Sequence, residues 1–143
     1  MKHQTLILLL SLMIFSGNVL GQSSYTIYPT PQEHFNIPGK ASFTTTVQVV
    51  AEKGIDNYTR ERLEQILEEH GLNPLFVEKP KSGYSVVYLG INDSGEQADK
   101  KASKLKLKRD VFGISKYDRH IVSLSSTKGK AELVVLGENT DAV

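Results

Sequence analysis

Read as a run of apolar and polar positions, the chain resolves into strand-like segments arranged around one clear helix. Across Asp56–Gly71, Thr59, Leu63, Ile66, Leu67 and His70 recur at helical spacing, while Arg60, Glu61, Arg62, Glu64, Gln65, Glu68 and Glu69 cover the other side. Asp56 or Thr59 suits the cap at the start, Gly71 the left-handed position past the end, and Asn73-Pro74 stops the helix. Glu68 and Glu69 run against the pattern, because a last turn presents the negative end of the helix dipole. An apolar helix face of this kind needs a sheet to lie on.

The flanking segments supply one. In Ser42–Ala51, Val47, Val49 and Ala51 alternate with Thr46, Gln48 and Val50, which predicts a half-buried strand. Leu75–Val77 reads as a second short strand. Tyr84–Leu89, followed by Gly90 and Ile91, is a near-continuous β-branched and aromatic run suited to a central strand covered on both faces. Asn92-Asp93-Ser94-Gly95 then breaks the chain. Ser94 and Gln97 have capping-box spacing, and Ala98, Ala102 and Leu105 predict a second helix running to about Lys106. The segment Lys104–Lys108 also alternates as a strand would, so the pattern leaves that helix end open. Gly113 and Ser115 mark a loop, and Arg119–Leu124 with Ala131–Leu136 predict a closing hairpin across the polar turn Ser125–Lys130. The expected fold is α+β, a mixed β-sheet with its helices packed on one face.

The first residues form a separate segment. Met1-Lys2-His3 is basic, Leu6–Phe15 is apolar, and small residues lead to Gly21, which predicts a secretory signal peptide over residues 1–21. An apolar run of about ten residues falls short of the roughly 20 that span a bilayer. The expected location is therefore outside the cytoplasm, secreted or periplasmic or at the cell surface, with no membrane contact once the leader is cleaved. Tyr25-Thr26-Ile27-Tyr28-Pro29-Thr30-Pro31-Gln32 has an extended, polyproline-like bias and predicts a lead-in strand along the domain edge, anchored by Tyr25, Ile27 or Tyr28 and Phe35.

Charge and composition narrow the picture. Lys2 leaves with the leader, so 16 of the 17 basic residues remain against 16 acidic ones. A neutral mature chain has no global field to recruit nucleic acid or anionic lipid. Cysteine is absent, which removes both a disulfide framework and thiolate metal sites. The roughly 120 residues after the leader amount to one ordinary domain, here residues 22–137.

No catalytic constellation is legible, so catalytic, cofactor-binding and metal-ligating positions are all expected to be empty. The adjacent carboxylates Glu68-Glu69 lie on the solvated helix side. His34, His70 and His120 are far apart and lack metal-ligand spacing. Asp118, His120 and Ser123 resemble a triad only by composition, because neighbouring strand positions alternate faces and no nucleophile elbow is present. Lys100, Lys101, Lys104, Lys106, Lys108 and Arg109 form a dense basic stretch that suits either a solvated surface or contact with an anionic polymer, without the interleaved aromatics of a nucleic-acid platform. Asn57-Tyr58-Thr59 and Asn92-Asp93-Ser94 match the glycosylation pattern, and Gly90–Gly95 lacks the lysine and spacing of a phosphate loop. After Gly137, residues 138–143 look like the start of a further helix, capped by Asn139 or Thr140 with Asp141 in its first turn, which predicts a fragment of a longer protein.

Four features together carry a resemblance. They are Tyr25-x-Ile27-Tyr28-Pro29-Thr30-Pro31-Gln32, the strand Val47–Ala51 leading to Gly54-Ile55-Asp56, the Thr59-x-x-x-Leu63-x-x-Ile66-Leu67 helix, and Ala131–Gly137 before Asn139–Val143. The chain resembles the N-terminal, non-catalytic α/β domain of secreted β-N-acetylglucosaminidases and hyaluronidase-type enzymes of glycoside hydrolase family 84, relatives of O-GlcNAcase. A similar domain precedes the barrel of family 20 β-N-acetylhexosaminidases. The resemblance implies a parent that cleaves β-linked N-acetylglucosamine from glycans or glycoconjugates. In that chemistry the substrate's own acetamido oxygen is the nucleophile, assisted by acids on a (β/α)₈ barrel that this chain does not contain. The implied partners are that barrel, on the same polypeptide, and through it the glycan. The alternative is a stand-alone secreted carbohydrate-binding module, which the absence of tryptophan disfavours.

Overall fold

The computed structural model describes residues 40–113 and 119–143. The leader, the Tyr25–Gln32 lead-in, His34, Ser115 and Asp118 lie outside the described residues. Among the described residues are five strands: β1 (Thr46–Ala51), β2 (Asn73–Phe76), β3 (Ser85–Ile91), β4 (His120–Thr127) and β5 (Lys130–Gly137). They form one mixed sheet in the order β2-β1-β3-β5-β4. β1 is parallel to β2 and β3, and β3 to β5, whereas β4 pairs antiparallel with β5 as the predicted hairpin. Helix α1 (Asn57–Glu69) joins β1 to β2, and α2 (Gln97–Lys104) follows β3. This is an α+β arrangement of one mixed sheet with two helices.

Side chains alternate across each strand, so the register sorts the sheet into two faces. One face carries Val47, Val49, Val87, Leu89, Leu133 and Val135 and packs with Leu63 and Leu67 of α1. The other carries Val50, Val86, Tyr88, Val134 and Leu136 and packs with Ala98 and Ala102 of α2. The helices therefore lie on opposite faces, which corrects the expected single helix layer. The reason is in β1 and β3 themselves. β3 is apolar at odd and even positions alike, and β1 adds Val50 to the face opposite Val47 and Val49, so each face has to be covered.

The same fact corrects the half-buried reading of β1, whose Val47–Val50 are all buried. Gln48 looks solvent-facing in the sequence, yet it is buried and its Oε1 accepts the Lys81 backbone N–H at 2.7 Å. The loop crossing from β2 to β3 thus satisfies a polar group inside the sheet. β2 begins at Asn73, earlier than expected, and it tolerates Pro74 because it is an edge strand.

Helix α1 has the predicted extent and caps. Asp56 accepts from the Thr59 backbone N–H at 2.8 Å and from its hydroxyl at 2.9 Å, and Gly71 takes φ of 73°. The Thr59 backbone bond, followed by its side-chain bond, holds the Asp56 carboxyl below the usual value. The buried stripe is turned from the expected one, however. Leu67 is buried and Leu63 partly so, but Ile66 is 40% exposed and His70 is exposed. Arg60 explains the turn by folding back, with Nε on the Ile55 carbonyl at 3.0 Å and a terminal nitrogen on the Glu52 carbonyl at 2.8 Å. The expected Ser94–Gln97 capping box does not form. Ser94 Oγ accepts from the Glu96 N–H at 3.1 Å instead, and the Gln97 amide donates to the Glu78 carbonyl. Helix α2 stops at Lys104, and Lys106 at φ of 55° bars continuation as either helix or strand.

Candidate functional site

Open sheets place ligand crevices beyond the carboxyl ends of their strands, where adjacent connections leave toward opposite faces. Here that place lies between β1 and β3, because α1 and α2 cover opposite sides. The chain fills it with its own carboxylate. Glu52, immediately after β1, is 3% exposed. Its Oε2 accepts the Ile91 N–H at 3.0 Å, and its Oε1 accepts the N–H groups of Ala98 at 3.0 Å and Asp99 at 3.2 Å. The unsatisfied N–H groups of a helix start ordinarily draw an anion, and at α2 that anion is built in. Gly90 makes the close approach feasible. A Cβ there would lie 2.4 Å from Ala98 Cβ and 2.5 Å from Glu52 Cδ and Oε1.

Beside this plug, Arg109 gathers the loop after β3 and the helix α2. Its guanidinium donates to Asn92 Oδ1 at 2.9 Å, to the Asp99 carbonyl at 2.9 Å, to Ser103 Oγ at 2.8 Å and to the Asp99 carboxylate. Burial by itself would raise the Asp99 carboxyl. The hydrogen bond from Arg109, the Gly95 N–H and the Arg109 charge outweigh it and hold the group below its usual value. Asn92, Asp93, Arg109, Phe112, Gly113 and Glu138 line a shallow cleft of about 420 Å³ here. Its polar groups are largely engaged with one another. Asn92 Nδ2 donates to Asp93 at 2.9 Å, and Glu138 Oε1 accepts the Gly113 N–H at 2.7 Å. The cleft lining sets the Asp93 and Glu138 carboxylates beside the Arg109 guanidinium, an arrangement suited to hydrogen-bonding a polar group.

The basic stretch separates in space. Lys101 meets Glu132 at 2.6 Å and lies 5.7 Å from the centre of the Tyr88 ring. Burial would raise the Glu132 carboxyl, but the Lys101 and Thr127 hydrogen bonds and the charges of Lys101 and Lys104 leave it below its ordinary value. Burial, then the Glu132 charge, pushes the Tyr88 hydroxyl up. Lys100, Lys104, Lys106 and Lys108 are exposed, whereas Lys101 and Arg109 are drawn in by Glu132 and Asp99. Of the histidines, His70 holds its Nδ1 3.0 Å from the Ile66 carbonyl, and His120 opens β4 exposed, on the opposite face from Ser123. Glu68 and Glu69 are exposed on α1. Asn57 begins α1, and Asn92 is tied to Arg109 and Asp93. Among the described residues, no group of three or more His, Asp or Glu side chains is placed to hold a metal ion.

Sequence reasoning missed Glu52 and the Asp99–Arg109 link. The one available signal for Glu52 is a carboxylate ending an otherwise apolar central strand, where a solvated residue is the default reading.

The fold and this filled crevice define a class: a mixed-sheet α+β domain whose customary ligand position is closed by its own side chain. No family model matches the chain, and no curated protein matches it. Among solved structures it is similar to CpGH84D, a glycoside hydrolase family 84 enzyme, with 31% identity and a TM-score of 0.69 over 83% of this chain. The chain spans 19% of that protein's length. The likeness supports a domain related to glycoside hydrolase family 84.

Proposed function

We propose that the chain is the non-catalytic N-terminal domain of an exported glycoside hydrolase that cleaves β-linked N-acetylglucosamine from glycans or glycoconjugates. One observation carries this reading: the likeness takes in most of this chain but 19% of a family 84 enzyme. The reaction then belongs to the portion of such an enzyme that this chain does not match. The Asn139 side chain accepts the Asp141 and Ala142 N–H groups at 2.9 and 3.1 Å to start a turn over Thr140–Ala142. The closed crevice at Glu52 and the internally engaged cleft at Arg109 fit a domain that is scaffold rather than catalyst. Export by the leader over residues 1–21 is part of the same proposal.

The test is direct. The purified 143-residue chain should release no chromophore from a β-N-acetylglucosaminide substrate, whereas the full-length gene product should do so. Turnover by the short chain that co-purifies with it and disappears on denaturation would sink the non-catalytic assignment.

A further inference from the structure

The side-chain pattern on β4 is reversed for a strand at the solvated edge of a sheet. Pairing with β5 sets Ser123 opposite Val134 and Ser125 opposite Glu132, on the face that α2 covers. It sets Val122 opposite Val135 and Leu124 opposite Leu133, on the face that α1 covers. But α1 packs toward the β2 end of that face and does not extend over β4. Val122 is left 57% exposed and Leu124 49%. An edge strand open to water ordinarily turns polar or charged side chains outward. Single exposed aliphatics are commonplace, but directly opposed cross-strand pairs touch. Val122, Leu124, Leu133 and Val135 therefore form one contiguous apolar block.

The same face receives the end of the described chain. Val143 packs into the cluster that contains Leu133 and Val135, and its Cγ2 sits over Gly137, where a Cβ would be only 2.6 Å away. The last described residue thus lies against the same face as the block. The similar enzyme extends far beyond the matched part, since this chain spans 19% of it.

We infer that the block formed by Val122, Leu124, Leu133 and Val135 is the seat of the polypeptide that follows residue 143, the catalytic portion of the same protein. The inference rests on the reading given under Proposed function, and it names the surface through which the two portions hold one another. Covering this block completes the face that α1 leaves half open.

The double substitution Val122→Ser with Leu124→Ser tests it in two contexts. In the 143-residue chain both side chains are already half in water, so the melting temperature should move by no more than about 3 °C. In the full-length gene product the same pair should uncouple the portions. This domain should then melt as a separate, earlier transition, and cleavage by trypsin just beyond residue 143 should accelerate about tenfold or more. Equal, small responses in both contexts, with glycosidase activity intact, would overturn the docking surface and leave the functional reading standing. A full-length product that lacks activity on β-N-acetylglucosaminides would overturn that reading, and this inference with it. Self-association of the 143-residue chain in sedimentation, abolished by the double substitution, would assign the face to a second copy and overturn the inference by itself.

Discussion

Replacing Glu52 by glutamine preserves the shape of the side chain and removes only its charge and one acceptor. In the native structure the two carboxylate oxygens serve three N–H groups, the part-buried one of Ile91 and the buried ones of Ala98 and Asp99. With the glutamine Oε1 left on Ala98 and Asp99, its NH₂ points at the Ile91 N–H, donor against donor. Leaving the part-buried Ile91 N–H unsatisfied costs about 1–3 kcal/mol, and turning the other two bonds from charge-assisted to neutral costs about 1 kcal/mol more each. Not having to bury a charge offsets part of this. The expected net loss is about 3 kcal/mol, a large share of the roughly 5–15 kcal/mol that holds a domain of this size. At about 4–8 °C per kcal/mol, the melting temperature should fall by about 12–24 °C. Urea unfolding followed by far-ultraviolet circular dichroism measures it, with the midpoint lowered and the slope unchanged. A Glu52→Gln protein within about 0.5 kcal/mol of wild type would refute the claim that this carboxylate ties β1 to β3 and α2.

Further expectations follow from the same contacts. Gly90→Ala should destabilise by about 3 kcal/mol in the same urea assay, because its Cβ would overlap Ala98 and Glu52 without any relief from backbone strain. Stability should also fall in acid. The Asp99 and Glu132 carboxyls sit below their usual values in the folded chain, so the unfolded chain binds more protons as pH approaches about 4. Their contribution is complete above the ordinary carboxylate range and is lost as pH drops through the lowered folded values. Melting temperature measured from pH 7 down to pH 3 should decline, and Asp99→Asn combined with Glu132→Gln should flatten that decline. An unchanged acid slope in the double variant would discount both ion pairs. Lys101→Met should weaken the protein modestly, by about 1 kcal/mol, since it removes the partner of a largely buried Glu132 while Thr127 continues to donate to that carboxylate.

Much of the local structure is legible in the amino-acid order. The extent of α1, its Asp56 cap and its Gly71 stop follow from periodicity and capping chemistry, which act over a few residues. The central position of β3 follows from its unbroken apolar run, and the closing hairpin from two strand periods around a polar glycine turn. What tertiary structure alone decided is how those elements meet. Placing a helix on each face depended on β1 also being buried on both sides, and the amide of Gln48 concealed this because its partner, Lys81, lies 33 residues away. The α2 start looked as though Ser94 would cap it, yet the acceptor is Glu52, brought there by strand pairing across more than 40 residues. The open block at Val122 and Leu124 arises from register and from where α1 stops, which no window along the chain contains. Short-range rules determine an element because its caps and its period are its own neighbours. The faces, the plug and the exposed seat belong to contacts between distant residues, and only the folded chain sets those.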